Sequence, residues 1–138
     1  MDARVAVGPG RERMGATILV VEDDPLIAAF VVKALGKHDY QAEWVTTGQQ
    51  ALDRIRGGGV DLQLLDLGLP DIDGLEVLSR LRADGVSVPV VVVTSRSDPK
   101  DRATAFGYGI HAYLMKPFGL AALLEVVRDA LSSSVRRT

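Results

Sequence analysis

The chain has 138 residues, a formal net charge of −2, 47% hydrophobic and 25% charged residues, and no cysteine. This is the composition of an ordinary globular protein of one compact domain, and its near-neutral charge gives no electrostatic case for a nucleic-acid or membrane-surface protein. Without cysteines there is no disulfide scaffold or thiolate metal site, and without a bilayer-length apolar run or a signal-peptide core the expected compartment is the cytoplasm.

Residues 1–15 hold Gly8, Pro9, Gly10 and Gly15 among Arg4, Arg11 and Arg13 without periodicity. They read as a disordered leader, with Met14 a second candidate start. Order is expected from Thr17. Ile18 to Val21 is a β-branched run ended by Glu22, Asp23 and Asp24. Asp24 is placed as an N-cap and Pro25 as the first helical residue. Leu26, Ile27, Phe30, Val31, Ala34 and Leu35 then recur at helical spacing up to Gly36.

That strand–loop–helix unit repeats four more times. Gln41 to Val45 is a strand, and Thr47 with Gln50 makes a capping box for a helix closed by Gly57-Gly58-Gly59. Asp61 to Leu65 is the third strand; Asp73 caps a helix with Leu75, Leu78 and Leu81 on its apolar face, ended by Gly85. Pro89 introduces Val90 to Val93, the most β-prone stretch. Asp98-Pro99 opens a helix whose apolar face is thin, chiefly Ala103 and Phe106. His111 to Leu114 is the fifth strand. Leu120, Leu123, Leu124, Val127 and Leu131 mark the last and clearest amphipathic helix. The domain is bounded at 16–131, and 132–138 reads as a polar tail or the start of a linker.

Five βα units predict an α/β fold: a doubly wound five-stranded parallel sheet of flavodoxin-like order 2-1-3-4-5. A barrel needs eight units. In a parallel sheet all carboxyl ends open on one rim. There the sequence places Glu22 and Asp23, then Asp66, then Thr94 and Ser95, then Lys116. Three neighbouring carboxylates repel one another, and a hard divalent cation, Mg2+, relieves that. Charge on the carboxylates, one Mg2+ and one lysine nearly cancels, which suits a phosphoryl group with Thr94 as hydrogen-bond donor. Asp66 is then the nucleophile, forming an acyl phosphate. No second substrate pocket is evident, so the phosphorylated protein is itself the product.

The stretches I-L-V-V-E-D-D-P, L-L-D-L-G-L-P-D-I-D-G, V-V-V-T-S and A-Y-L-M-K-P-F carry a resemblance. In order and spacing, from about Thr17 to Leu131, the chain resembles the receiver domain of two-component response regulators. The resemblance implies that Asp66 accepts phosphate from a sensor histidine kinase or a histidine phosphotransfer protein. It implies Mg2+ ligation by Asp23, Asp66 and the backbone carbonyl of Gly68, with Glu22 acting largely through water. Lys116 would contact the phosphoryl group, across a Lys116-Pro117 bond that is cis in the family. Thr94 and Tyr113 would be a switch pair that re-shapes the face of the fourth helix, fifth strand and fifth helix. Gly68 and Arg96 occupy positions that tune acyl-phosphate lifetime in that family. The protein would be a phosphoacceptor with at most slow self-phosphorylation and self-dephosphorylation, not an enzyme with an external product.

Departures bear on the output. DNA-binding relatives of the winged-helix kind carry paired acidic residues before the fifth-strand tyrosine, where this chain has His111 and Ala112, and Ala121 and Ala122 replace a further acidic position. A phosphorylation-dependent homodimer of that type would leave Arg102 without its usual partners. Elsewhere, Asp71 and Asp73 read as turn and cap residues, His38 and His111 as surface residues, and Trp44 as core or sheet-edge packing. Arg136 and Arg137 are too few for direct nucleic-acid binding. The alternatives are a flavodoxin-like flavin- or nucleotide-binding module, the N-terminal receiver of a DNA-binding transcriptional regulator, and a hydrolase working through an aspartyl phosphate. Against the first, the rim is acidic and has no phosphate-binding loop. Against the hydrolase, the residue two after Asp66 is Gly68 rather than a second acid or base.

Overall fold

The computed structural model describes residues 15–137, so the expected leader before Gly15 and the terminal Thr138 lie outside the described residues. Strands and helices alternate without exception: β1 (Thr17–Val21), α1 (Pro25–Lys37), β2 (Gln41–Val45), α2 (Gly48–Arg56), β3 (Leu62–Leu65), α3 (Gly74–Ala83), β4 (Val90–Thr94), α4 (Pro99–Gly107), β5 (Ala112–Met115) and α5 (Leu120–Arg137). The five strands form one parallel sheet in the order β2-β1-β3-β4-β5.

Side chains of each strand point alternately to the two faces, and the core divides accordingly. Ile18, Val20, Leu62, Leu64, Val91 and Val93 pack against α1 and α5. Leu19, Val21, Leu65, Val90 and Val92 pack against α2, α3 and α4. Helix starts follow the expected caps. Asp24 accepts from the Leu26 N–H at 2.9 Å, Thr47 and Gln50 form the full capping box, and Asp73 and Asp98 cap α3 and α4. Asp71 does more than turn the chain: its carboxylate accepts from the Gly48 and Gln49 N–H groups at 2.7 and 2.9 Å, a second cap on α2.

Several expected details shift. The buried stripe of α1 is Ala28, Val31, Ala34 and Leu35, while Leu26 is 82% exposed and Phe30 is exposed. Leu26 and Phe30 lie one turn apart beside that stripe rather than on it, and Phe30 meets the Phe118 ring with centroids 6.1 Å apart. In α3, Val77 joins Leu78 and Leu81 in the core and Leu75 is only partly buried. In α4 the buried residue is Ala105, and both Ala103 and Phe106 are exposed. Helix α1 passes Gly36 to Lys37, β5 starts one residue after His111, and α5 continues through the polar Ser132–Arg137 stretch.

Candidate functional site

Each rim residue stands directly at a strand end. Glu22 and Asp23 follow β1, Asp66 follows β3, Thr94 ends β4, and Lys116 follows β5. Glu22, Asp66 and Thr94 are 3%, 7% and 1% exposed, and Asp23 is exposed. One carboxylate oxygen from each of Glu22, Asp23 and Asp66 falls within 4.8 Å of the others. Gly74 lets α3 begin hard against this site: a Cβ there would lie 2.7 Å from the Asp66 carbonyl oxygen and 2.6 Å from the Leu67 Cα.

Burying carboxylates side by side is costly unless a cation is near. Lys116 supplies one, with Nζ 2.7 Å from Glu22 Oε1 and 3.0 Å from Asp66 Oδ2. The Lys116–Pro117 bond beside it is cis. Burial raises the Glu22 carboxyl pKa, opposed by the Lys116 hydrogen bond and reinforced by the charge of Asp66. For Lys116 burial acts against the charged form, but its hydrogen bonds to Glu22 and Asp66 outweigh it and its pKa is raised. The Gly68 N–H donates to Asp66 Oδ1 at 3.2 Å, placing that loop against the same carboxylate.

The other flank is organised by Arg96, in the loop between β4 and α4. Its N–H donates to Thr94 Oγ1 at 3.3 Å, and its carbonyl accepts the Tyr113 hydroxyl at 2.9 Å. Thr94 and Tyr113 are therefore linked through residue 96. The Arg96 guanidinium pairs with Asp73, reaches the Leu67 carbonyl at 3.4 Å, and lies 3.7 Å from Asp101 of α4. Arg102 stacks its guanidinium over Tyr113 and Phe106, 5.3 and 5.6 Å from their ring centres; this is where the arginine lacking acidic partners in the sequence finds company.

Over residues 18–128 the sequence matches the family model of the response regulator receiver domain. This chain belongs to that family. It is 39% identical over 128 residues to the transcriptional regulatory protein TcrA of Mycobacterium tuberculosis, covering 91% of this chain and 51% of TcrA. It thus spans about half the length of the curated relatives it matches. Among solved structures, the CheY-like receiver domain protein of Methanospirillum hungatei superposes with a TM-score of 0.85 at 27% identity, over 89% of this chain and 98% of that one. The BeF3-activated N-terminal receiver domain of Klebsiella pneumoniae RstA does so with 0.77 at 32% identity, over 83% and 97%. The flavin- or nucleotide-binding alternative is not favoured by these matches.

Receiver domains are phosphoacceptors rather than classical enzymes, and they bind Mg2+ at an acidic pocket. The donor set here suits that ion: three clustered carboxylates offer only hard oxygen, and a lysine is already present to limit their repulsion. No described helix is long and apolar enough to cross a membrane.

Three features were not read from the sequence. Leu26, Phe30, Pro117 and Phe118 line an open pocket of about 420 Å³ together with Ser95 and Lys116. His111 is half-buried rather than on the surface, with Nε2 2.7 Å from Asp129. Trp44, 45% exposed, lies at the sheet edge, one of its two expected places; what was not read is that its indole N–H donates to the Glu22 carbonyl at 2.6 Å.

Proposed function

We propose that this receiver domain is a phosphorylation switch in which Asp66 is the phosphoacceptor. The observation that carries the reading is the placement of Lys116 between Glu22 and Asp66 inside a three-carboxylate cluster at the strand ends. An Asp66 carboxylate oxygen attacks the phosphorus of a phosphohistidine. The P–N bond breaks, its electron pair leaves with the imidazole nitrogen, and an acyl phosphate remains on Asp66. Asp23, Asp66 and the Gly68 carbonyl would hold Mg2+, with Glu22 acting through water, and the ion would supply positive charge toward phosphoryl oxygens. Lys116 releases part of its hold on Asp66 to meet the phosphoryl group. Thr94, buried beside it, turns its hydroxyl from the Arg96 N–H toward a phosphoryl oxygen, and Tyr113 follows through the Arg96 carbonyl it already holds. Self-phosphorylation by small donors and self-dephosphorylation are slow side reactions of the same geometry.

The donor is a sensor histidine kinase or a histidine phosphotransfer protein. The apolar pocket formed by Leu26, Phe30 and Phe118 adjoins Lys116 and gives such a protein a surface to grip. The output is the surface of α4, β5 and α5. A second reading, the receiver half of a DNA-binding regulator, is favoured by TcrA and by the BasR protein of Escherichia coli, both transcriptional regulatory proteins about twice the matched length. A salt-bridged homodimer of the winged-helix type is not favoured, because Arg102 is engaged with Phe106 and Tyr113.

Intact mass after incubation with Mg2+ and acetyl phosphate tests the switch. The expected result is one added phosphoryl group of about 80 Da, absent from Asp66→Asn and from samples without metal. No adduct in the wild type, together with no effect of beryllofluoride on the protein, would overturn the mechanism.

A further inference from the structure

Glu22 is anchored at every polar group. Its N–H donates to the Val45 carbonyl at 3.1 Å, its Oε2 accepts from the Asp24 N–H at 3.1 Å, and its Oε1 meets Lys116 at 2.7 Å. The remaining group, its carbonyl, takes the indole N–H of Trp44. Trp44 sits opposite Val20 in the β1–β2 register, so its ring reaches two residues along to the strand end. The ring's exposure means that burial alone is a weak account of its place there.

The carbonyl that Trp44 holds belongs to the planar peptide unit joining Glu22 to Asp23. Fixing that oxygen fixes the plane, and with it the direction in which the Asp23 Cα leaves the strand. Asp23 needs such help. Among the described residues its carboxylate has no hydrogen bond or ion pair, so its position is set through its backbone. Groups that orient metal ligands from behind contribute to affinity by removing the cost of arranging them.

We propose that Trp44 is a positioning residue for the Mg2+ site, its indole N–H pre-arranging the Glu22–Asp23 pair from the edge strand. This inference rests on the Mg2+ reading above. It is also specific to a single atom, because the ring's shape matters less than its N–H. As the sole tryptophan of the chain, Trp44 reports on the site as well.

The experiment is a Mg2+ titration of the full chain followed by backbone amide chemical shifts. It compares the wild type with a protein carrying 3-benzothienylalanine at position 44, which keeps the ring's shape and replaces N–H by sulfur, and with Trp44→Phe. Loss of one neutral hydrogen bond predicts a Kd about 3- to 10-fold higher in both variants. The metal-free unfolding midpoint of the benzothienylalanine protein should fall by no more than the loss of one partly exposed hydrogen bond explains, less than the change in Kd requires, and wild-type tryptophan emission should change along the same Mg2+ curve. An unchanged Kd in that protein, with the wild type still binding Mg2+, overturns the role of Trp44 and leaves the metal site intact. A Kd that worsens only in step with lost metal-free stability also overturns it, making Trp44 structural. If the wild type shows no Mg2+-dependent shifts at Glu22, Asp23 and Asp66, the Mg2+ reading and this inference fall together.

Discussion

Helices α4 and α5 pack at the same end of the sheet, on opposite faces, and differ sharply in what they bury. Helix α5 commits Leu123, Val127, Ala130 and Leu131, each at most 1% exposed. Helix α4 buries Ala105 and leaves Ala103 and Phe106 in water. Apolar area removed from water is the main term holding a helix to a sheet, at roughly 25 cal/mol per Å², so α4 has far less to lose by moving. What fastens it is polar and close to the site: Asp101 near the Arg96 guanidinium, and Arg102 stacked on Tyr113. The same division runs across the site itself. On the β1 side, Glu22 is held by backbone, indole and lysine; on the β4 side, Thr94 and Tyr113 are held by hydrogen bonds to one loop residue. The fold anchors α5 and the Glu22 side firmly, and holds α4, Thr94 and Tyr113 by fewer and more polar contacts.

Core truncations should separate the two helices by the widest margin. Leu123→Ala in α5 should cost about 3–4 kcal/mol in urea unfolding, whereas Phe106→Ala in α4 should cost about 1 kcal/mol or less. Equal costs would mean that α4 is anchored as firmly as α5. Gly74→Ala comes next, at about 2 kcal/mol. Its Cβ has to displace the backbone around Asp66 and Leu67, so phosphoryl acceptance should slow along with the loss of stability.

Asp98→Ala removes the α4 N-cap and should cost about 1 kcal/mol; hydrogen exchange should quicken in α4 and stay unchanged in α5. Gln63, fully buried in β3, has no partner for its carboxamide among the described residues. Gln63→Met should therefore raise the unfolding midpoint, by about 1 kcal/mol of stability. Finally, because the folded-state pKa of Lys116 is raised, the stability from its contacts is complete below its ordinary 10.5 and is lost as pH rises through the folded value. Lys116→Met should flatten stability against pH above 10.5, and an unchanged alkaline slope would contradict the pairing.

Much of this was legible in the sequence because its punctuation is local. Asp24-Pro25, Thr47 with Gln50, Asp73 and Asp98-Pro99 each satisfy backbone groups within a few residues, and each cap appears where it was read. The order of the acidic pair, Asp66, Thr94 and Lys116 against the strand ends placed the rim residues without further help. Inward faces were harder. Leu26 and Phe30 obey the helical period but fall beside the buried stripe of α1 rather than on it, and a single buried alanine in α4 makes no period at all. The hydrogen bond from Trp44 to Glu22 joins a side chain to a backbone carbonyl across two strands, and no spacing rule encodes that. The turn of Arg102 toward two aromatic rings depends likewise on tertiary neighbours.

In the proposed switch, loading Asp66 rearranges the β4–α4–β5 flank against a fixed β1–β2 flank. Peptide-resolved hydrogen exchange with and without Mg2+ and beryllofluoride tests it most directly, with Asp66→Asn as the control. Altered exchange is expected in residues 94–115 of the wild type, with little change in 30–45, and no change in either stretch of the variant. A response spread evenly over both flanks, or one that persists in Asp66→Asn, would contradict it.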